Sequence, residues 1–248
     1  MRNANVIDLV RIFWRSLFIQ ASWNYERMLS LGFCFSAAPL IKKIIKSESQ
    51  RSDYLRRNLG FFNIHPYFAG YILGATLKLE KEAQEGGKVS VEEIEKVKAH
   101  LSRSVAAVGD TLFWRQLKPL SAMIGMMLVF YDEVLGLAAF LLAYNIPHLL
   151  VRGHGLWAGY REGFRLVQSM PLPRYKVMVT FLNKAGTVVS AILMVLLLRA
   201  MSTASGFAGA GAFISGLILM FVFLKWKLPS PIGLAIILAL GLLAAMIL

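Results

Sequence analysis

The 248-residue chain is 57% apolar with a mean hydropathy of +0.59, which excludes an ordinary soluble domain and points to a membrane protein. Its net charge of +13 could suit nucleic acid, but the basic residues flank apolar segments instead of lining one polar face, so the positive-inside pattern is favoured and no nucleic-acid partner is implied. The first 118 positions hold 18 of the 27 Lys and Arg, which loads the membrane content toward the C-terminus, and the single Cys34 rules out an intrachain disulfide.

Val6, Leu9, Val10, Phe13 and Leu17 recur at helical spacing opposite Asp8, Arg11 and Arg15, with Asn5 placed to cap the start. The pattern predicts an N-terminal interfacial amphipathic helix, basic side toward the lipid head groups, with Trp14 and Trp23 at the depth that indole rings favour. Because charges interrupt its apolar residues, this opening does not read as a cleavable signal. Residues 31–41 are too few to cross a bilayer, and residues 59–77 carry Asn63, His65 and Pro66 near their start. Both are expected to form re-entrant or half-crossing hairpins, shielded by protein or lining a cavity. Gly70 and Gly74 form a GxxxG pair that would let another backbone approach closely.

From 78 to 103 the chain is densely charged, with Gly86 and Gly87 as a break. Ser90 and Glu93 form a capping box for a helix through about Ser102, whose apolar stripe is Val91, Ile94, Val97 and Leu101. Its basic residues place this charged helical hairpin on the cytoplasmic side. Residues 105–131 and 134–151, divided by Asp132 and Glu133, predict a membrane hairpin that goes out and returns. Segments 177–198, 207–224 and 232–248 are then span-length transmembrane helices, with Lys225 and Lys227 at the inner end of the second and the C-terminus outside. The fold class is therefore an all-α integral membrane protein, divided into 1–58, 59–131 and 132–248.

Two polar residues inside apolar surroundings stand out, because such groups usually face a bundle interior or a wet cavity. His65 precedes Pro66; the plainer alternative is a neutral imidazole bonded to a carbonyl. Asp110 should be paired or hydrated, and Arg115 is a partner only if the helix bends there or the segment is a hairpin; alternatively Asp110 caps the helix that follows it. Asn183 and Lys184 interrupt a span, from which Lys184 can snorkel. His148 and His154 are six residues apart without a third ligand and give no metal site, and His100 belongs to a solvated helix. No phosphate-cradling glycine loop, GxSxG elbow or HExxH pair is present, so neither a self-contained enzyme nor a cofactor is expected. Acids are too thinly spread to suggest an ion-coupled pump.

Several blocks carry a resemblance. Residues 15–28 (RSLFIQASWNYERM) with Leu31-Gly32-Phe33, residues 61–67 (FFNIHPY) with Gly74-Ala75-Thr76-Leu77, residues 108–114 (VGDTLFW) with Lys118-Pro119, and Asn145, Arg152 and residues 159–163 (GYREG) occur in order. Together they resemble the IID components of the mannose, fructose and sorbose phosphotransferase family. The resemblance implies a non-catalytic, multi-pass subunit of the bacterial cytoplasmic membrane. It pairs with a IIC subunit, three copies of each, to admit a sugar, while soluble IIA and IIB proteins carry phosphate and IIB phosphorylates the sugar on entry. IIC makes most of the sugar contacts on that scheme. Asn63, His65, Asp110 and Arg115 are then the candidates for the substrate path or the IIC interface. Residues 169–248 are shorter and more apolar than the family's usual C-terminal part, which leaves a non-transporting scaffold or sensor as the second reading and a stand-alone channel or secondary transporter as the third.

Overall fold

The computed structural model describes residues 5–86, 89–225 and 236 and builds them from helices, with no strand among them. Two units result, Met1–Gly186 and Thr187–Leu248. Helix α1 (Val6–Ser16) starts where expected: the Asn5 side chain accepts from the Asp8 N–H at 3.0 Å, and the Asp8 carboxylate accepts from the Asn5 N–H at 3.3 Å. One residue of the expected polar face, Asp8, turns inward. Asp8, Ile12 and Ser16 are buried at successive turns, while Val6, Val10 and Trp14 are exposed. The polar groups turn inward because they find partners there: Asp8 pairs with Lys43, and the Ser16 carbonyl accepts from Arg152. An apolar outer stripe is then left for lipid. Arg11 stays exposed, and Arg15 donates to the Phe35 carbonyl at 3.1 Å.

Helix α2 (Ser30–Ile44) is one helix through Pro39, with no reversal inside it, and its 15 residues reach only about 22 Å. Helix α3 (Glu48–Asn58) follows. The chain then breaks its helix as expected: Phe62 exchanges backbone hydrogen bonds with Leu29 (2.9 Å) and Arg27 (3.3 Å), and a 3-10 turn, Pro66–Phe68, leads into α4 (Ala69–Gln84). Residues 69–77 of α4 are buried on every side, the mark of a central helix. Gly86 turns the chain at φ +78, and α5 (Val91–Gly109) begins on the Ser90–Glu93 capping box.

Instead of ending near Ser102, α5 runs on into a π-helical stretch, Asp110–Leu117, and then α6 (Lys118–Val129). Nothing between 103 and 108 breaks a helix, since Ser, Val and Ala all continue one, and Pro119 lies where the π-helical stretch passes into the first turn of α6. Asp132 caps α7 (Glu133–Glu162) by accepting from the Leu135 N–H at 2.7 Å, and α6 and α7 form the expected hairpin. A 3-10 turn, Gly163–Arg165, and the short α8 (Leu166–Ser169) lead to α9 (Leu172–Lys225). The first two C-terminal segments expected as separate spans are thus one helix. Their connector holds no proline, and Thr203 donates back to the Ala200 carbonyl at 2.8 Å, which keeps a polar side chain satisfied inside helical backbone. The third segment, 232–248, lies outside the described residues apart from Ile236, as do Lys227 and Gly87. Glu133–Ser169 and Leu172–Ala200 are long and apolar enough to cross a membrane.

At the charged end of the fold, α3, α4 and α5 share a buried polar cluster. Arg57 pairs with Glu80 at 2.6 Å, and Lys98 donates to the Asn58 side chain at 2.6 Å with its ammonium 4.7 Å and 4.9 Å from the Phe33 and Phe62 ring centres. Burial pushes the Lys98 pKa below its ordinary 10.5 and the Glu80 pKa above its ordinary 4.5. Between the depressed Lys98 pKa and 10.5 the unfolded chain binds more protons than the folded one, so this lysine makes stability rise with pH there. For Glu80 the sign is opposite: its contribution is full below 4.5 and is lost as pH rises through its folded pKa. Thermal unfolding of detergent-solubilised protein across the alkaline range is expected to show that rise, and Lys98→Met to flatten it. An equal slope in the variant would assign the effect elsewhere.

Candidate functional site

The site is framed by the crossing of α4 and α7. Gly70 faces the backbone of Arg152 and Leu156, and Gly74 faces that of Leu156, Gly159 and Tyr160. A β-carbon on Gly74 would stand 2.5 Å from the Tyr160 nitrogen, and one on Gly159 would stand 2.8 Å from the Ala75 nitrogen. The GxxxG pair noted in the sequence therefore meets a second one, Gly155 and Gly159, in the manner of close-packed membrane helices.

His65 sits at the head of this crossing, buried to 1% exposure. Pro66 holds it out of the helical region (φ −68, ψ 124), and its side chain accepts from the Tyr67 N–H at 3.4 Å, so it caps the 3-10 turn. Its ring stacks on Phe113 of the π-helical stretch, centres 5.3 Å apart and planes within 16°, and meets the Trp114 ring at 4.8 Å. Gly109 makes room for it: a β-carbon there would run into the His65 β-carbon and lie 2.6 Å from its Cγ.

Tyr67 is the hub on the other side. His148 stacks on its ring at 4.3 Å, the Arg152 guanidinium lies 5.5 Å from the ring centre, and its hydroxyl shares a 3.0 Å hydrogen bond with that of Tyr144. His65 Nε2, His148 Nδ1 and Arg152 Nε are buried without a hydrogen-bond partner among the described residues. Three buried nitrogens around one tyrosine thus keep unspent hydrogen-bonding capacity, which a polar group or water can take up. A turn further along, Tyr71 bonds to both His154 Nδ1 (3.0 Å) and the Tyr175 hydroxyl (2.7 Å).

Of the four residues singled out from sequence, His65 and the Asp110 segment come together through Gly109 and Phe113, whereas Asn63 and Arg115 are exposed. Asp110 is half-buried with φ −59 and ψ −42, helical values that rule out the capping alternative. Five residues separate it from Arg115, one π-helical step, but no ion pair joins them among the described residues. Sequence reasoning gave no role to Tyr67, Tyr71, Tyr144 or Arg152, although Tyr67 and Arg152 stand in the blocks that carry the resemblance. The signal was available as two helical spacings that face each other, Tyr67 and Tyr71 on one segment and Tyr144, His148 and Arg152 on the other. His148 and His154 go to different tyrosines, and no group of three His, Cys, Asp or Glu that could hold a metal occurs among the described residues.

Small-residue crossings, an outward apolar face on α1 and two span-length helices define a helical membrane protein. Residues 5–204 match the family of the PTS system mannose/fructose/sorbose family IID component, and the chain belongs to that family. Among similar proteins are the PTS system mannose-specific EIID component of Escherichia coli (strain K12), 37% identical over 66% of this chain and 58% of its own length, and the fructose permease IID component of Bacillus subtilis (strain 168), 31% identical over 66% and 59%. The chain thus spans less than two thirds of those relatives. A solved membrane-protein structure is similar with a TM-score of 0.71 and 32% identity, over 78% of this chain and 71% of the other. The cryo-EM structure of the mannose transporter ManYZ with microcin E492 is similar with a TM-score of 0.63 and 27% identity, over 99% and 97%.

Proposed function

We propose that the chain is the IID subunit of a mannose-family phosphotransferase permease, a non-catalytic, multi-pass protein of the bacterial cytoplasmic membrane. It acts with a IIC subunit, as a trimer of IIC–IID pairs, to move a hexose-type sugar that IIB phosphorylates on entry with phosphate passed through IIA. The family match over residues 5–204 is the observation that carries this reading. In it, the buried His65 is a positioning residue, while exposed Asn63 and Arg115 and half-buried Asp110 lie where an IIC partner or the sugar path can reach them. Phosphoenolpyruvate-dependent sugar uptake is expected in vesicles that hold this chain together with its IIC partner and soluble components, and to vanish when either membrane subunit is left out. Asp110→Asn is expected to lower that uptake, and unchanged uptake defeats the assignment of Asp110. The alternative reading is a scaffold that assembles with IIC and moves no sugar. Stable assembly without uptake selects it, and uptake by this chain alone selects a stand-alone transporter.

A further inference from the structure

Outside the crossing, the structure holds a groove of about 530 Å³ between α5 and the segment that ends the α7 run, lined by Val97, Phe164 and Val167 below and by Lys96, His100 and Arg103 along α5. The three basic residues recur at successive turns and are all exposed, and no carboxylate pairs with them among the described residues. Glu93, which also lines the groove, accepts from the Ser90 N–H at 2.8 Å, and Glu162 accepts from the Ser169 hydroxyl. With Lys96 and Arg103 against the one carboxylate of Glu93, the groove is apolar at its floor and net positive at its rim. Phe164 lies open at 55% exposure, and Arg161 and Arg165, on the same stretch of chain, line a second hollow.

The depth of the groove says what fits it. Phe164 and Val167 belong to the end of the span-length run Glu133–Ser169. Trp157, half exposed with the Arg161 guanidinium carbon 5.1 Å from its ring centre, makes the aromatic and basic pairing typical of the membrane–water boundary. On the other wall, α5 passes from charged residues into the apolar stretch that begins at Val105. Both walls therefore pass from charged to apolar residues at the same groove. A soluble acidic protein would satisfy the basic rim and leave Phe164 and Val167 at the lipid boundary unexplained, whereas a phospholipid has an anionic head for the rim and acyl chains for the floor.

We infer that this groove binds an anionic phospholipid, headgroup phosphate on Lys96, His100 and Arg103 and acyl chain along Phe164 and Val167. Each basic residue held at a membrane surface favours anionic lipid by about fivefold. The test uses the full chain in phosphatidylcholine vesicles with and without phosphatidylglycerol, and spin-labelled lipids of either head group to count those immobilised by the protein. A saturable, immobilised phosphatidylglycerol component is expected. It should fall at least about fivefold in Lys96→Gln/Arg103→Gln, persist in Lys96→Arg/Arg103→Lys, and persist in Lys42→Gln/Lys46→Gln, which removes the same charge elsewhere. Equal loss in that last variant reduces the effect to general surface charge and overturns the site. Release by millimolar glycerol 3-phosphate means that the phosphate is read without the chain, and overturns the lipid as ligand. A component that survives in the Gln pair overturns the role of Lys96 and Arg103.

Discussion

Gly74→Val is expected to prevent α4 and α7 from docking, with a loss of about 3 kcal/mol in stability. The first added carbon would stand 2.5 Å from the Tyr160 nitrogen and 2.9 Å from the Gly159 carbonyl carbon, and these are backbone atoms that cannot rotate away. In lipid the crossing has no hydrophobic drive of its own to overcome a clash, since acyl chains are as apolar as the helix faces, and close packing supplies the attraction. The separation would also open the Tyr67 cluster, whose rings come from both sides of the crossing. Thermal unfolding in detergent and the fraction recovered as a monodisperse species measure it. Gly186→Ala is the control, because nothing lies within 4 Å of its β-position, and it is expected to gain up to about 1 kcal/mol as alanine restrains the unfolded chain. A Gly74→Val protein as stable as the parent would mean that the two helices do not meet at these glycines.

What the sequence disclosed and what it hid divide along a physical line. The starts of α1 and α5 were legible because a capping box is a contact between residues three apart, fixed by the chain itself. The break before Pro66 was legible for the same reason. The burial of Asp8 and Ser16 on α1 was not: periodicity shows two faces, but the partners that draw these groups inward, Lys43 and Arg152, come from other helices, and Arg152 is 136 residues away from the Ser16 it meets. The GxxxG pair at Gly70 and Gly74 announced a close approach without naming its partner, because only the fold brings Gly155 and Gly159 opposite. His65 drew notice as a costly polar group in an apolar run. The tyrosines around it did not, since aromatic residues in such a run are ordinary packing until two helices face each other. The stretch 103–105, inside α5, was read as a boundary because apolar content rises there, yet composition can change along a helix that does not end.

Gly109→Ala is expected to cost about 2–3 kcal/mol and, on the proposed function, to lower sugar uptake while α4 and α7 remain docked, which separates it from the valine at Gly74. The new methyl carbon would meet the His65 β-carbon first, then its Cγ at 2.6 Å and the Phe68 ring edge at 3.0 Å. A β-carbon is held by the backbone, so the 60–65 segment itself must move, and with it the Phe113 stack that ties the π-helical stretch to this turn. His65→Ala tests whether the backbone is the obstacle. It removes the ring and keeps the β-carbon, so the double variant is expected to be no more stable than the sum of the single effects predicts. Recovery in His65→Ala/Gly109→Ala would show instead that only the imidazole occupies the space over Gly109. Uptake then divides two roles: a glycine needed for packing alone would lose activity in proportion to folded protein, whereas a turn that positions Asp110 and Arg115 loses uptake per folded molecule.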